Sequence, residues 1–297
     1  MKILRLIRFD NLLLLVVVQV IFKYGFLDQQ AGLPQALTTW QYLLMVLACV
    51  LIAAGAFLIN TISGDKEESK IVSEATGYNI YMALNVAAFA IGYYLSDHIG
   101  RVSFAAIFFI GAAIPFIYAT NLKQSFLVSN IAIVLTVPLS IIVIAVYNLY
   151  PVTFAENREY LGIIFQVMLD YSIFLFVIAL IYSFVKDLHD TDHDYNSGYN
   201  TLPIAMGKER TSKIVSLLTL IPLGMLLYYG NTYIVELVWA LGFSLVFVVG
   251  PLIYFMIKMW GSTSQKEYRH LAIVLKLVMF FTVLSIVVVT YNINSNA

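Results

Sequence analysis

Nine stretches of about 20 mostly apolar residues follow one another along this chain of 297, and each is long enough to cross the hydrocarbon of a bilayer as a helix. They run over 12–28, 41–60, 78–96, 102–120, 126–148, 160–184, 212–229, 233–257 and 271–292. Their solid apolar character is the helical signature, since membrane barrels show only weak alternation in ten-residue segments. Composition agrees: 61% of residues are hydrophobic, 11% are charged, and the mean hydropathy is +0.87, too little polar surface for a soluble protein of this length. The expected fold class is all-α, a polytopic membrane bundle of about nine transmembrane helices forming a single domain over 1–297. The longest stretch between spans is roughly 185–211, so any chemistry happens within the membrane or at its face. Zero formal net charge excludes a global basic field for nucleic acid. A lone cysteine, Cys49, excludes a disulfide framework and reads as a small buried hydrophobe.

Lys2, Arg5 and Arg8 precede the first apolar run, which resembles a signal peptide without a small-residue cleavage site. It is read as a retained first helix behind a short amphipathic segment. With the N-terminus cytoplasmic, 13 of the 17 Lys and Arg fall on inside segments, and only Arg101 and Arg158 fall outside. That asymmetry predicts a multi-pass protein of the cell's inner membrane, with the N-terminus inside and the uncharged C-terminus outside. Lys23 and Lys276 fall within spans and are read as snorkelling, with their stems in hydrocarbon and their charges reaching for the interface. Asp170 in the sixth span needs a partner, for a pocket or for structure. Pro115 and Pro138 mark kinks.

The informative charges lie after the sixth span. Asp187, Asp190 and Asp194 are spaced three and four apart, so a helix continuing from that span carries them on one face. Three such carboxylates repel one another unless a cation sits among them, and hard oxygen ligands favour Mg²⁺ or Ca²⁺. Gly198 and Pro203 then break the helix, and Lys186, Lys208 and Arg210 flank the acids as candidate phosphate partners. A solvated polar loop with no ligand is the alternative. His189 and His193, four apart, offer a transition-metal pair, a weaker reading beside so many aspartates.

Lys186, Asp187, Asp190 and Asp194, followed by Gly198, Thr201, Leu202, Pro203 and Gly207, resemble the second aspartate-rich motif of the UbiA prenyltransferase superfamily. Nine spans with acidic loops after the second and sixth match that family's layout, so the resemblance covers most of the chain. Arg8 and Asn11 fit its Arg-x-x-Asn start, and Tyr118 to Lys123, with Asn130 beyond, resembles its Tyr/Lys segment after the fourth span. Among subfamilies the chain is most similar to bacterial geranylgeranylglycerol-phosphate geranylgeranyltransferase-like members.

The first loop departs from the family pattern. After the second span the family carries Asn-Asp-x-x-Asp-x-x-x-Asp; here Asn60 matches, Thr61 and Gly64 replace two aspartates, and Glu68 replaces the third. Asp65 is displaced by one residue, about 100° around a helix. In the family this loop holds a second Mg²⁺ on the diphosphate. Asp65, Glu67 and Glu68 either rebuild that site, helped by the backbone freedom of Gly64, or form a solvated charge cluster.

The resemblance implies transfer of a prenyl group from an isoprenyl diphosphate to a lipid-soluble or membrane-surface acceptor, with Mg²⁺ as cofactor. Asp187, Asp190 and Asp194 would be the metal ligands. Asn60, Lys123, Lys186, Arg8, Asn11 and Tyr118 would serve the diphosphate. Expected partners are the isoprenyl diphosphate, an acceptor of undetermined class and membrane lipid, with no nucleic acid and no obligate protein partner. The altered first loop motivates a second reading: a catalytically weakened homologue that binds an isoprenoid diphosphate or lipid without transfer. A transporter is a third reading, disfavoured because its acids would sit at midplane helix breaks.

Overall fold

The structure, a computed structural model, describes residues 6–63, 71–122 and 125–296. Every regular element among them is helical. The long helices are α1 (Phe9–Gln29), α2 (Thr39–Ile62), α3 (Glu74–His98), α4 (Val102–Leu122), α5 (Val128–Val152), α6 (Arg158–Asn196), α7 (Lys208–Ile234), α8 (Val238–Trp260) and α9 (Gln265–Ser295). Among the described residues, eight are long and apolar enough to cross a bilayer. The exception is α3, which at 25 residues has the length but is diluted by Asn79, Asn85 and Asp97. This is the all-α, multi-pass membrane architecture expected from the sequence, with the count of nine spans approximate.

Local chemistry sets where the helices start and bend. At the head of α2, Gln41 N–H donates to Thr38 Oγ1 at 3.4 Å and Thr38 N–H donates to Gln41 Oε1 at 2.9 Å, a reciprocal capping box. Ser73 caps α3 by accepting from Thr76 N–H. Pro115 lies inside α4, and the helix widens after it into a π turn over Tyr118–Leu122. Pro138 can neither donate to Val134 nor tolerate its carbonyl, and α5 is interrupted at Leu135. Both prolines therefore sit at irregularities, as the sequence suggested.

The chain forms two compact units: Met1–Val20, Ala31–Lys123 and Leu139–Leu169 make the first, and Ile21–Gln30, Gln124–Pro138 and Asp170–Ala297 the second. In the first, α2 packs on α3 and α4, and the opening segment of α1 packs on α2. Glycines permit the close approaches: a side chain at Gly92 would run into the ring of Phe108, and one at Gly77 into Ile62. Lipid tails are as apolar as leucine, so interhelical hydrogen bonds and close packing replace the hydrophobic drive. Tyr42 OH donates to Gln19 O at 2.7 Å, Gln19 Nε2 to Ser140 O at 3.2 Å, and Tyr81 OH to Ala112 O at 3.2 Å. The Ser96 and Tyr147 hydroxyls pair in the same unit.

The second unit is built on the inner part of α6. Phe174, Ile178, Ile181, Phe184, Val185 and Leu188 bury one stripe against Val215 of α7, Leu252 and Phe255 of α8, and Leu271, Leu275 and Val278 of α9. At one end of this core, Ser212 Oγ and Tyr268 OH meet at 3.1 Å and both donate to Ser262 O. Lys23 is buried and ion-paired with Asp28 at 2.6 Å.

Candidate active site

α6 runs 39 residues without interruption, well past the apolar run that ends at Val185. The aspartates are therefore on helix, as their spacing of three and four predicts. With about 100° per residue, Asp187, Asp190 and Asp194 span roughly 60° of its circumference, on the flank away from the stripe that Phe184, Val185 and Leu188 bury.

Asp187 is held from a distant part of the chain. Asn130 Nδ2, near the start of α5, donates to Asp187 Oδ2 at 2.7 Å and lies 3.3 Å from Ser183 Oγ, which itself donates to Leu180 O at 2.7 Å. The amide fixes the carboxylate's rotamer while leaving its other oxygen for a different partner. Leu127, three residues before Asn130, has a φ of 59°, the left-handed region costly for a leucine, and its side chain packs on the second unit's core. Thr191 Oγ1 bonds the carbonyls of Asp187 and Leu188 at 3.0 and 2.9 Å. Asp194 and Asp190 add negative potential at Asp187, and Lys186 offsets part of it. Asp190 Oδ1 contacts His189 Nδ1 at 2.7 Å, and Asp194 is 8% exposed. Buried carboxylates are retained only with compensating partners.

The residues after the aspartates have backbone roles. Gly198 N–H donates to Tyr195 O at 3.2 Å and Tyr199 N–H to Asp194 O at 2.9 Å, the Schellman closure, with Gly198 at φ 70°. Glycine ends α6 one turn beyond Asp194. Pro203, expected to break a helix, instead opens a short one over Leu202–Met206, because the first turn of a helix has no use for a proline N–H. Gly207, at φ 84°, separates that turn from α7. Asp192 faces the other side of α6, bonded by Lys208 Nζ at 2.9 Å and Gln265 Nε2 at 3.2 Å. Beside it an open groove of about 450 Å³ runs past Thr191, Tyr195, Pro203 and Ile204. Of the flanking cations, Lys208 is thus committed to Asp192.

Among the described residues no three His, Cys, Asp or Glu side chains converge tightly enough to hold a metal alone. The aspartates share a face without closing a cage, and the His189–His193 pair gains no third ligand. The donor set fits Mg²⁺ nonetheless: that ion commonly takes one or two carboxylates, keeps waters, and completes its shell with substrate phosphate oxygens.

The first unit has its own cluster of candidates. Leu6, Leu58, Ile59, Tyr81 and Ala119 form a buried knot, with Tyr118 packed on it. Arg8 lies with its guanidinium 5.6 Å from the centroid of the Phe57 ring, at φ 46°, and Asn11 N–H donates to Arg8 O at 2.8 Å. Asn60, in the last turn of α2, has its Oδ1 buried with no hydrogen-bond partner among the described residues, as does Ser63 Oγ. Two such orphans in one turn are unusual, since buried polar atoms are overwhelmingly paired. Arg8, Asn60 and Tyr118 therefore gather at the Leu58–Ile59 end of this unit, with Asn11 one turn along α1. Lys123, Asp65, Glu67 and Glu68 lie outside the described residues.

The sequence reading brings in Asn130 only through the family resemblance, without a role, and does not single out Ser183 or Thr191. The available signal was an amide inside an otherwise apolar span at 126–148, which hydrocarbon tolerates only when it faces a partner.

No model of a known family matches the sequence. A digeranylgeranylglyceryl phosphate synthase of Sulfolobus acidocaldarius is 28% identical over 225 residues, 72% of this chain and 74% of the relative. A solved structure of digeranylgeranylglyceryl phosphate synthase superposes with a TM-score of 0.65 at 16% identity, covering 97% of both chains. A UbiA homolog from Archaeoglobus fulgidus, bound to DMAPP and Mg²⁺, superposes with a TM-score of 0.57 at 15% identity, over 96% of this chain and 99% of that one.

Proposed function

We propose that this chain belongs to the UbiA prenyltransferase superfamily and moves an isoprenyl group from an isoprenyl diphosphate to the hydroxyl of a glycerol-phosphate-type lipid, with Mg²⁺. The observation that carries the reading is the α6 face on which Asp187, fixed by Asn130, shares one flank with Asp190 and the buried Asp194. We further propose that this end of the chain faces the cytoplasm, as the distribution of Lys and Arg favours, and that residues 1–297 act as one catalytic domain.

Asp187, Asp190 and Asp194 would hold the ion, with Asn130 keeping Asp187 aimed. The bound ion supplies positive charge that stabilises the departing diphosphate. Lys186, beside Asp187 on α6, would add positive charge to it, and Lys123, Arg8, Asn11, Asn60 and Tyr118 are the further diphosphate residues that the family resemblance implies. The allylic C1–O bond breaks with its electron pair leaving on the diphosphate. The acceptor oxygen then bonds to C1, and its proton passes to the diphosphate or to water. Apolar helix faces keep water from C1, without which hydrolysis competes with transfer.

A second reading is supported by a specific observation: Thr61 and Gly64 stand where the family has aspartates, and Thr61 Oγ1 donates to its own helix at Phe57 O, 2.8 Å away. On that reading the protein binds the diphosphate and transfers nothing. The test is purified protein in nanodiscs with Mg²⁺, labelled geranylgeranyl diphosphate and geranylgeranylglyceryl phosphate. A labelled ether product establishes transfer; Mg²⁺-dependent binding without product establishes the second reading; neither binding nor product rejects both.

A further inference from the structure

Lys276 is a cation within the apolar part of α9, eleven residues past its start at Gln265, or about 16 Å along the axis. The sequence alone reads it as snorkelling. The structure instead places its ammonium 5.8 Å from the centroid of the Tyr182 ring, on α6. Among the described residues no carboxylate stands within ion-pair distance of it. A charge in hydrocarbon is costly, and an aromatic face returns only part of that cost. Such a residue is retained where an anion visits it.

Its height along α6 says which anion. Tyr182 precedes Asp187 by five residues, about 7.5 Å deeper into the apolar run. Helical side chains lean toward the helix N-terminus, so the Tyr182 ring lies deeper still, and the Lys276 ammonium stays within 5.8 Å of its centroid. That is below the level at which the aspartates would grip a diphosphate, and about level with the first carbons of the prenyl tail. An anion there belongs to the partner that must approach C1.

We propose that Lys276 binds the phosphate of the acceptor lipid, with Tyr182 holding the ammonium in place, so that the enzyme selects phosphate-bearing glyceryl ethers over neutral ones. This rests on the prenyl-transfer reading above.

The test is equilibrium binding, which needs no turnover. Full-length protein in nanodiscs is titrated with a saturated alkylglyceryl ether phosphate and with the same ether lacking the phosphate. Wild type is expected to prefer the phosphate by at least roughly tenfold, Lys276→Met to bind both within about twofold, and Lys276→Arg to restore the preference. Mg²⁺-dependent affinity for geranylgeranyl diphosphate should stay within about twofold in Lys276→Met, whose thermal midpoint should not fall, since an intramembrane charge has been removed. Absence of a phosphate preference in wild type, its persistence in Lys276→Met, or an equal loss of diphosphate affinity would overturn the assignment. Loss of Mg²⁺-dependent diphosphate binding in wild type would instead sink the prenyl-transfer reading.

Discussion

Asn130 Nδ2 donates to Asp187 Oδ2 across 2.7 Å, joining residues 57 apart in the chain at the point where α5 begins and α6 leaves its apolar run. On the proposed function, the contact would make Asp187 an oriented metal ligand. A partner of this kind holds a metal-binding side chain in its productive rotamer, and its loss typically weakens metal affinity by about 10- to 100-fold. Asn130→Leu is expected to lower Mg²⁺-dependent affinity for geranylgeranyl diphosphate by at least roughly tenfold, read by calorimetry. Asn130→Ser, with a shorter donor, should fall between that variant and wild type.

Gly198 closes α6 with a φ of 70°, where a Cβ strains the backbone by about 1–2 kcal/mol. Among the described residues nothing lies within 4 Å of where its Cβ would sit, so the penalty of Gly198→Ala is conformational and not a collision. Chemical denaturation should show a loss of that size. Hydrogen exchange should show faster opening of the amides that follow Asp194, while those of the Phe174–Leu188 stripe stay protected.

Gly92 and Phe108 bring α3 and α4 together, and Phe108 in turn packs on Tyr147 with ring centroids 5.5 Å apart. Gly92→Ala is expected to lower the thermal midpoint in detergent, because the added methyl would collide with the Phe108 ring. Phe108→Ala also destabilises, by about 3–5 kcal/mol. In the double variant the methyl enters the space the ring vacates, so the combined loss should be smaller than the sum. Strict additivity would contradict the contact.

How far the sequence could be read is clear from particular residues. Apolar runs of span length announce all nine long helices, because bilayer thickness sets a length that no other constraint imitates. The run at 78–96 announces α3 as well, although Asn79, Asn85 and Asp97 lower its hydropathy. The aspartate face was legible because a spacing of three and four has only one helical meaning. Asn130 was not legible as a partner of Asp187, because the two meet through tertiary packing that no local pattern encodes. Pro203 misled for a related reason: a proline ends helices or begins them, and only the turn set up by Gly198 decides which.

The most direct measurement is calorimetric titration of geranylgeranyl diphosphate into the purified protein, with Mg²⁺ and with chelator, for wild type and Asp194→Asn. The proposed ion-gripping face on α6 requires tight binding only for wild type with Mg²⁺, and a loss of roughly 100-fold in the variant. Equal affinity with chelator, or an Asp194→Asn variant that binds as wild type does, would contradict it.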